Sequence, residues 1–120
     1  MKFLAVDDSA TMRKIVNLAL TGAGYTVIEA VDGKDALAKL AGEPVDGIVL
    51  DINMPEMNGL EFLKARQRNP AIAKVPVIVL TTQDEEGMKK DAMALGANAF
   101  LGKPFQKPDL LAAAQKLIGA

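Results

Sequence analysis

Carboxylates, a hydroxyl and an amine directly follow apolar runs at four places in this chain. Asp7 and Asp8 come after Phe3 to Val6, Asp51 after Gly47 to Leu50, Thr81 after Val75 to Leu80, and Lys103 after Ala99 to Gly102. Such residues at strand exits are site candidates, because ligands and chemistry collect beyond the carboxyl ends of the strands in open α/β sheets. Three carboxylates crowded at one rim repel and raise one another's pKa unless a cation sits between them. Their hard oxygens suit Mg2+ better than Zn2+. Lys103 and Thr81 add a positive charge and a hydroxyl donor, groups suited to phosphoryl oxygens. A lone acid after a strand is ordinarily a helix cap, and that reading serves for Asp8 or Ser9 alone. It leaves the joint presence of Asp51, Thr81 and Lys103 unexplained. The crowding predicts that Asp51→Asn raises stability when Mg2+ is absent.

Residue types that are missing narrow the chemistry further. The chain has no His, which removes the commonest base near neutral pH, and no Cys, which excludes a disulfide framework or a thiolate metal site. Without His it cannot itself donate from a phosphohistidine. Fourteen Lys and Arg against 15 Asp and Glu give a net charge of -1, which supplies no general attraction to nucleic acid or to an anionic membrane. Half of the 120 residues are apolar and few are aromatic, so aliphatic side chains and Ala must fill a globular core. The length suits one domain, residues 1 to 120. The apolar run near the N-terminus is too short for a signal peptide or a membrane span, and a cytoplasmic place is the expectation.

Positioning these groups requires strands that stop at the right residue. Phe3 to Val6 is a short continuous apolar run, the pattern of a parallel strand buried on both faces. Ser9 can cap a helix with Met12, Ile15, Val16, Ala19 and Leu20 on one face, stopped near Gly22 and Gly24. Tyr25 to Ala30 reads as a second strand, and Asp32-Gly33 turns into a helix with Ala36, Leu37 and Leu40 that Gly42 and Pro44 end. Gly47 to Leu50 is the third strand, followed by a turn-prone segment with Pro55, Asn58 and Gly59. Leu60, Phe62 and Leu63 begin a helix that stops before Pro70, and Val75 to Leu80 is the fourth strand, with Pro76 tolerable near its start. Asp84 can cap a helix holding Met88, Ala92 and Leu95, loosened by Gly87 at a cost of roughly 1 kcal/mol relative to Ala. Ala99 to Gly102 is the fifth strand, and Pro108 fits the first position of a last helix with Leu110, Leu111, Ala114, Leu117 and Ile118 on one face. Five strands alternating with five helices predict a doubly wound parallel sheet. Right-handed crossovers then force a point where the winding reverses; if the first and third strands flank it, Asp7, Asp8 and Asp51 converge.

Taken together, Asp7-Asp8, Asp51 followed by Met54-Pro55-x-Met57-x-Gly59, Thr81, and Lys103-Pro104-Phe105 resemble the receiver domain of bacterial two-component response regulators. The likeness is greatest to the single-domain chemotaxis (CheY-like) branch and covers essentially the whole chain. It implies a flavodoxin-like, doubly wound five-stranded parallel sheet in the order 2-1-3-4-5, the order of flavodoxin and CheY. It also implies that Asp51 takes a phosphoryl group from the phosphohistidine of a sensor histidine kinase of the chemotaxis type. Asp8 and Asp51 would ligate Mg2+ with the backbone carbonyl of Asn53, Asp7 helping through water. Lys103 would contact a phosphoryl oxygen, and its bond to Pro104 would be cis. Thr81 would hydrogen-bond the new phosphoryl group while Phe100 swings inward, although core filling suits Phe100 at least as well. Phe100 also lacks the hydroxyl of the Tyr found in well-known chemotaxis members. By the same resemblance, Asn53 and Gln83 tune the lifetime of the phosphoryl group. Met54, Met57, Met88 and Met93 could form an adaptable binding surface, with ordinary packing the better reading for most.

The resulting expectation is a phosphorylation-switched monomer rather than an enzyme, catalysing only its own phosphoryl transfer and slow dephosphorylation. With no output domain after Ala120, it would act on a phospho-dependent target protein such as a flagellar motor switch and be reset by a phosphatase. A phosphate sink or a phosphorelay intermediate is the alternative. A Mg2+-dependent phosphohydrolase of the haloacid dehalogenase kind is more remote: that family resembles Asp-x-Asp-x-Thr or Val after a strand, whereas this chain has Asp51-Ile52-Asn53-Met54-Pro55. Neither the Walker pattern nor the dinucleotide glycine fingerprint is present.

Overall fold

The computed structural model describes residues 1–52, 59–81, 86–103 and 105–118, with the side chains of 86, 88 and 89 outside the description. In chain order the elements are β1 (Lys2–Val6), α1 (Ala10–Gly22), β2 (Thr26–Ala30), α2 (Gly33–Gly42), β3 (Gly47–Asp51), α3 (Gly59–Gln67), β4 (Val77–Thr81), α4 (Glu86–Ala94), β5 (Ala99–Gly102) and α5 (Lys107–Leu117). The strands pair in parallel in the order β2-β1-β3-β4-β5, as expected. β1 pairs with both β2 and β3, so the winding reverses between β1 and β3. That reversal opens a crevice at the carboxyl ends of these two strands.

Successive side chains of a strand point to opposite faces, and the central strands β1, β3 and β4 are buried on both, whereas the edge strands β2 and β5 are only partly buried. Leu4, Val6, Ile48, Leu50, Val77 and Val79 pack with Ala36, Leu40, Phe62, Leu63 and Ala92, joining the sheet to α2, α3 and α4. Phe3, Ala5, Val49, Ile78 and Leu80 pack with Val16, Ala19, Leu20, Leu110 and Ala114, joining it to α1 and α5. Gly47 lies opposite Phe3 in the ladder, and a Cβ there would come within 2.5 Å of the Phe3 ring.

The helices begin where capping residues stand. Ser9 Oγ accepts from the Met12 N–H at the start of α1, and Asp32 accepts from the Asp35 N–H at the start of α2. Beyond α1, Gly24 takes a positive φ of 97°, a conformation that favours Gly.

Several boundaries and faces differ from expectation for local reasons. β4 starts at Val77 rather than Val75, because the Val75 carbonyl is taken by the buried Arg66, whose Nε and Nη2 donate to it at 3.0 and 2.7 Å. Burial lowers the pKa of the Arg66 guanidinium. Pro108 stands at the second position of α5 rather than the first, with Gln106 as the cap and Lys107 preceding Pro108. Ile15 is 45% exposed although it belongs to the apolar stripe of α1. Successive residues turn by roughly 100°, which puts Ile15 about a quarter turn from the centre of the buried set Val16, Ala19 and Leu20. Met93 is also exposed, so packing does not account for it.

Candidate functional site

The β-ladder fixes which residues meet at the rim. β1 stops before Asp7, β3 ends on Asp51, β4 ends on Thr81, and β5 runs to Gly102 just before Lys103. The Asp7 N–H donates to the Ala30 carbonyl, and the Lys103 N–H donates to the Thr81 carbonyl at 2.7 Å. These backbone bonds carry the ladder one residue past the strands, so Asp7 and Lys103 are held by main chain. Asp51, Thr81 and Lys103 thus occupy adjacent strand ends, with Asp7 and Asp8 on the other side of Asp51.

The adjacent acids of the first loop differ in environment: Asp7 is 3% exposed and Asp8 lies at the surface. Asp51 is as buried as Asp7, also at 3%, and Thr81 is buried beside them. Carboxylate oxygens of Asp7, Asp8 and Asp51 all lie within 4.8 Å of one another. Lys103 Nζ donates to Asp51 Oδ1 at 2.9 Å and stands 3.7 Å from Asp7 Oδ2. The three carboxylates and the one ammonium carry a formal charge of -2 (three negative, one positive).

Asp7 bears the cost of this setting, from burial first and from the neighbouring acids second. Its Oδ1 accepts from the Ser9 N–H at 2.9 Å, whereas its buried Oδ2 accepts no hydrogen bond among the described residues. Burial pushes the Asp7 carboxyl up from an ordinary 3.8 to about 6. Asp51 and Asp8 add to that rise, and the Ser9 N–H and Lys103 oppose it. An orphaned buried acceptor, an all-oxygen donor set and a formal charge of -2 fit a hard divalent cation.

Gly59 lies against the end of β3. Its N–H donates to the Ile52 carbonyl at 2.9 Å, and a Cβ would lie 2.6 Å from Ile52 Cα and 3.2 Å from the Asp51 carbonyl oxygen. Only Gly allows the start of α3 to lie this close to the end of β3.

Phe100 pairs with Val79 in the ladder and is half-buried against the core cluster that includes Phe62, Val79 and Ala92. Of the other residues singled out from the sequence, Asn53, Met54, Met57, Gln83, Asp84 and Pro104 lie outside the described residues, as does the side chain of Met88. Sequence reading missed Arg13. Its Nη1 donates to the Asp7 carbonyl at 2.7 Å and its Nε to Glu29 Oε1 at 3.0 Å. The available signal was an Arg one helical turn after the capping Ser9.

Among the described residues, no helix is long and apolar enough to cross a membrane. A sequence model of the response regulator receiver domain matches residues 3–115. Chemotaxis protein CheY1 of Helicobacter pylori is 39% identical over 107 residues, 88% of this chain and 86% of that protein. Protein PilG of Pseudomonas aeruginosa is 37% identical over 113 residues, 94% of this chain and 84% of that protein. The solved structure of chemotaxis response regulator CheY4 of Vibrio cholerae superposes with a TM-score of 0.90 at 41% identity, covering 97% of both chains.

Proposed function

This chain belongs to the response regulator receiver domain family, and from that premise we propose that Asp51 is its phosphoacceptor and that phosphorylation controls its binding to another protein. The supporting observation is one rim that brings Asp51, Lys103, Thr81 and two further carboxylates together. Members of the family are signalling proteins, not classical enzymes, and the chemistry proposed here is confined to the chain's own phosphoryl group.

In the proposed reaction an Asp51 carboxylate oxygen attacks the phosphorus of a kinase phosphohistidine. A P–O bond forms, the P–N bond breaks, and the imidazole leaves with the bonding electron pair. A carboxylate is a weak nucleophile, so in-line transfer asks chiefly for positioning and charge compensation. The strand ends supply the positioning, since Asp51 and Lys103 are both held by main-chain ladders. Lys103 Nζ, already 2.9 Å from Asp51, would turn to a phosphoryl oxygen. Thr81 would donate its hydroxyl to the phosphoryl group, and Phe100 would move inward beside it.

Asp7, Asp8 and Asp51, with the backbone carbonyl of Asn53, would hold Mg2+. When bound, Mg2+ neutralises charge on the transferring oxygens.

The relatives CheY1 and CheY4 carry chemotaxis in their names, and we assign this chain to two-component signalling in chemotaxis or motility. Its proposed partners are a chemotaxis-type histidine kinase, a phospho-dependent target such as a flagellar motor switch protein, and a phosphatase, all meeting a cytoplasmic monomer. Beryllofluoride-loaded and unloaded protein titrated against the motor switch protein tests the output. Binding that tightens on loading supports a signalling output; equal binding in both states points to a phosphate sink or relay instead.

A further inference from the structure

We propose that Arg13 is a positioning residue for the metal site, clamping the turn that presents Asp7 and Asp8; this deepens the phosphoacceptor reading and rests on it. Asp8 is exposed, so packing does not hold its side chain and its placement depends on the backbone around it. The helix holds that backbone just after Asp8, and the side chain of Arg13 holds it just before. Its own N–H donates to the Ser9 carbonyl at 3.0 Å, just after Asp8, and its Nη1 donates to the Asp7 carbonyl at 2.7 Å, just before it. The Ser9 N–H on Asp7 Oδ1 and the Met12 N–H on Ser9 Oγ complete a turn anchored at each end.

The guanidinium is itself held. Nε donates to Glu29 Oε1 at 3.0 Å, and the second oxygen of Glu29 accepts from Asn17 Nδ2 at 2.9 Å. Glu29 belongs to β2, so one planar group from α1 binds β2 and the end of β1 together. A guanidinium places these N–H groups in a fixed fork, which a Lys ammonium cannot reproduce. Glu29 also neutralises Arg13, so the clamp adds little positive field against a cation at Asp7 and Asp8.

An NMR titration of the full chain with MgCl2 tests the clamp, with circular dichroism melts alongside. Arg13→Gln is expected to weaken Mg2+ binding on the order of tenfold at temperatures where the variant is folded. Arg13→Lys keeps the charge and should not restore affinity, whereas Lys14→Gln, an exposed neighbour, should leave it unchanged. Glu29→Gln should cause a smaller loss in the same direction, and this variant carries the test if Arg13→Gln does not fold. Unchanged Mg2+ affinity in folded Arg13→Gln or in Glu29→Gln overturns the clamp. Full recovery in Arg13→Lys overturns it as well, because charge alone would then suffice. Wild-type protein that takes no Mg2+ overturns the phosphoacceptor reading and the clamp together.

Discussion

Asp7 and Asp51 are equally buried, yet Lys103 lies 2.9 Å from Asp51 and 3.7 Å from Asp7. Asp7 thus has the ammonium at the greater distance, and its burial first, then the neighbouring acids, make its charged form costly. Its folded pKa of about 6 exceeds the ordinary 3.8, so folding takes up a proton between these values. The native state binds more protons there, and the contribution of Asp7 to stability falls as pH rises through that window. Above it the penalty is fully present. Without Mg2+ at pH 7.5, Asp7→Asn should stabilise the protein by about 1–3 kcal/mol, with the gain shrinking toward pH 4. Asp51→Asn should give a smaller gain, because it removes a carboxylate that already has a close ammonium partner. Denaturant melts across pH check both variants, and a larger gain for Asp51→Asn would contradict this distribution of cost. That acids would crowd here was legible from their positions after apolar runs. Which of Asp7 and Asp8 is buried was not, because adjacent residues leave a strand in opposite directions.

Strand ends and helix starts determine whether the reactive groups meet. Gly59 shows this most sharply, since α3 begins against the backbone of Asp51 and Ile52. Gly59→Ala should destabilise the protein by about 1–3 kcal/mol by forcing backbone apart, and equilibrium unfolding in urea measures it. Gly87 presents the opposite case: it is exposed, and a Cβ there would meet nothing within 4 Å. Gly87→Ala should therefore stabilise α4 by up to about 1 kcal/mol; a thermal midpoint at or below that of wild type would show that α4 needs Gly there. The Ser9 cap and the apolar runs of the strands were legible because their causes are local. The outward turn of Ile15 and the late start of β4 were not. The first depends on how α1 lies on the sheet, and the second on the side chain of Arg66, from the preceding helix, taking the Val75 carbonyl.

For the molecule as a whole, five parallel strands reverse their winding between β1 and β3, and that arrangement brings residues 7, 8, 51 and 103 to one rim. Alternating elements made the sheet readable from sequence, whereas the strand order came from resemblance to a family, since periodicity does not say which strands are neighbours. Arg13 escaped notice because one acceptor follows β1 and the other lies on β2, and only the fold brings them within its reach. The rim matters because it proposes one acceptor, Asp51, in a setting that favours phosphoryl transfer. Acetyl phosphate tests this without a kinase: the P–O bond to acetate breaks as the Asp51 acyl phosphate forms. Intact-mass measurement after incubation with acetyl phosphate should show a single added phosphoryl group with Mg2+ present, none when Mg2+ is chelated, and none in Asp51→Asn. An unchanged mass for wild type in both conditions, or the same gain in Asp51→Asn, would contradict the assignment of Asp51 as the phosphoacceptor.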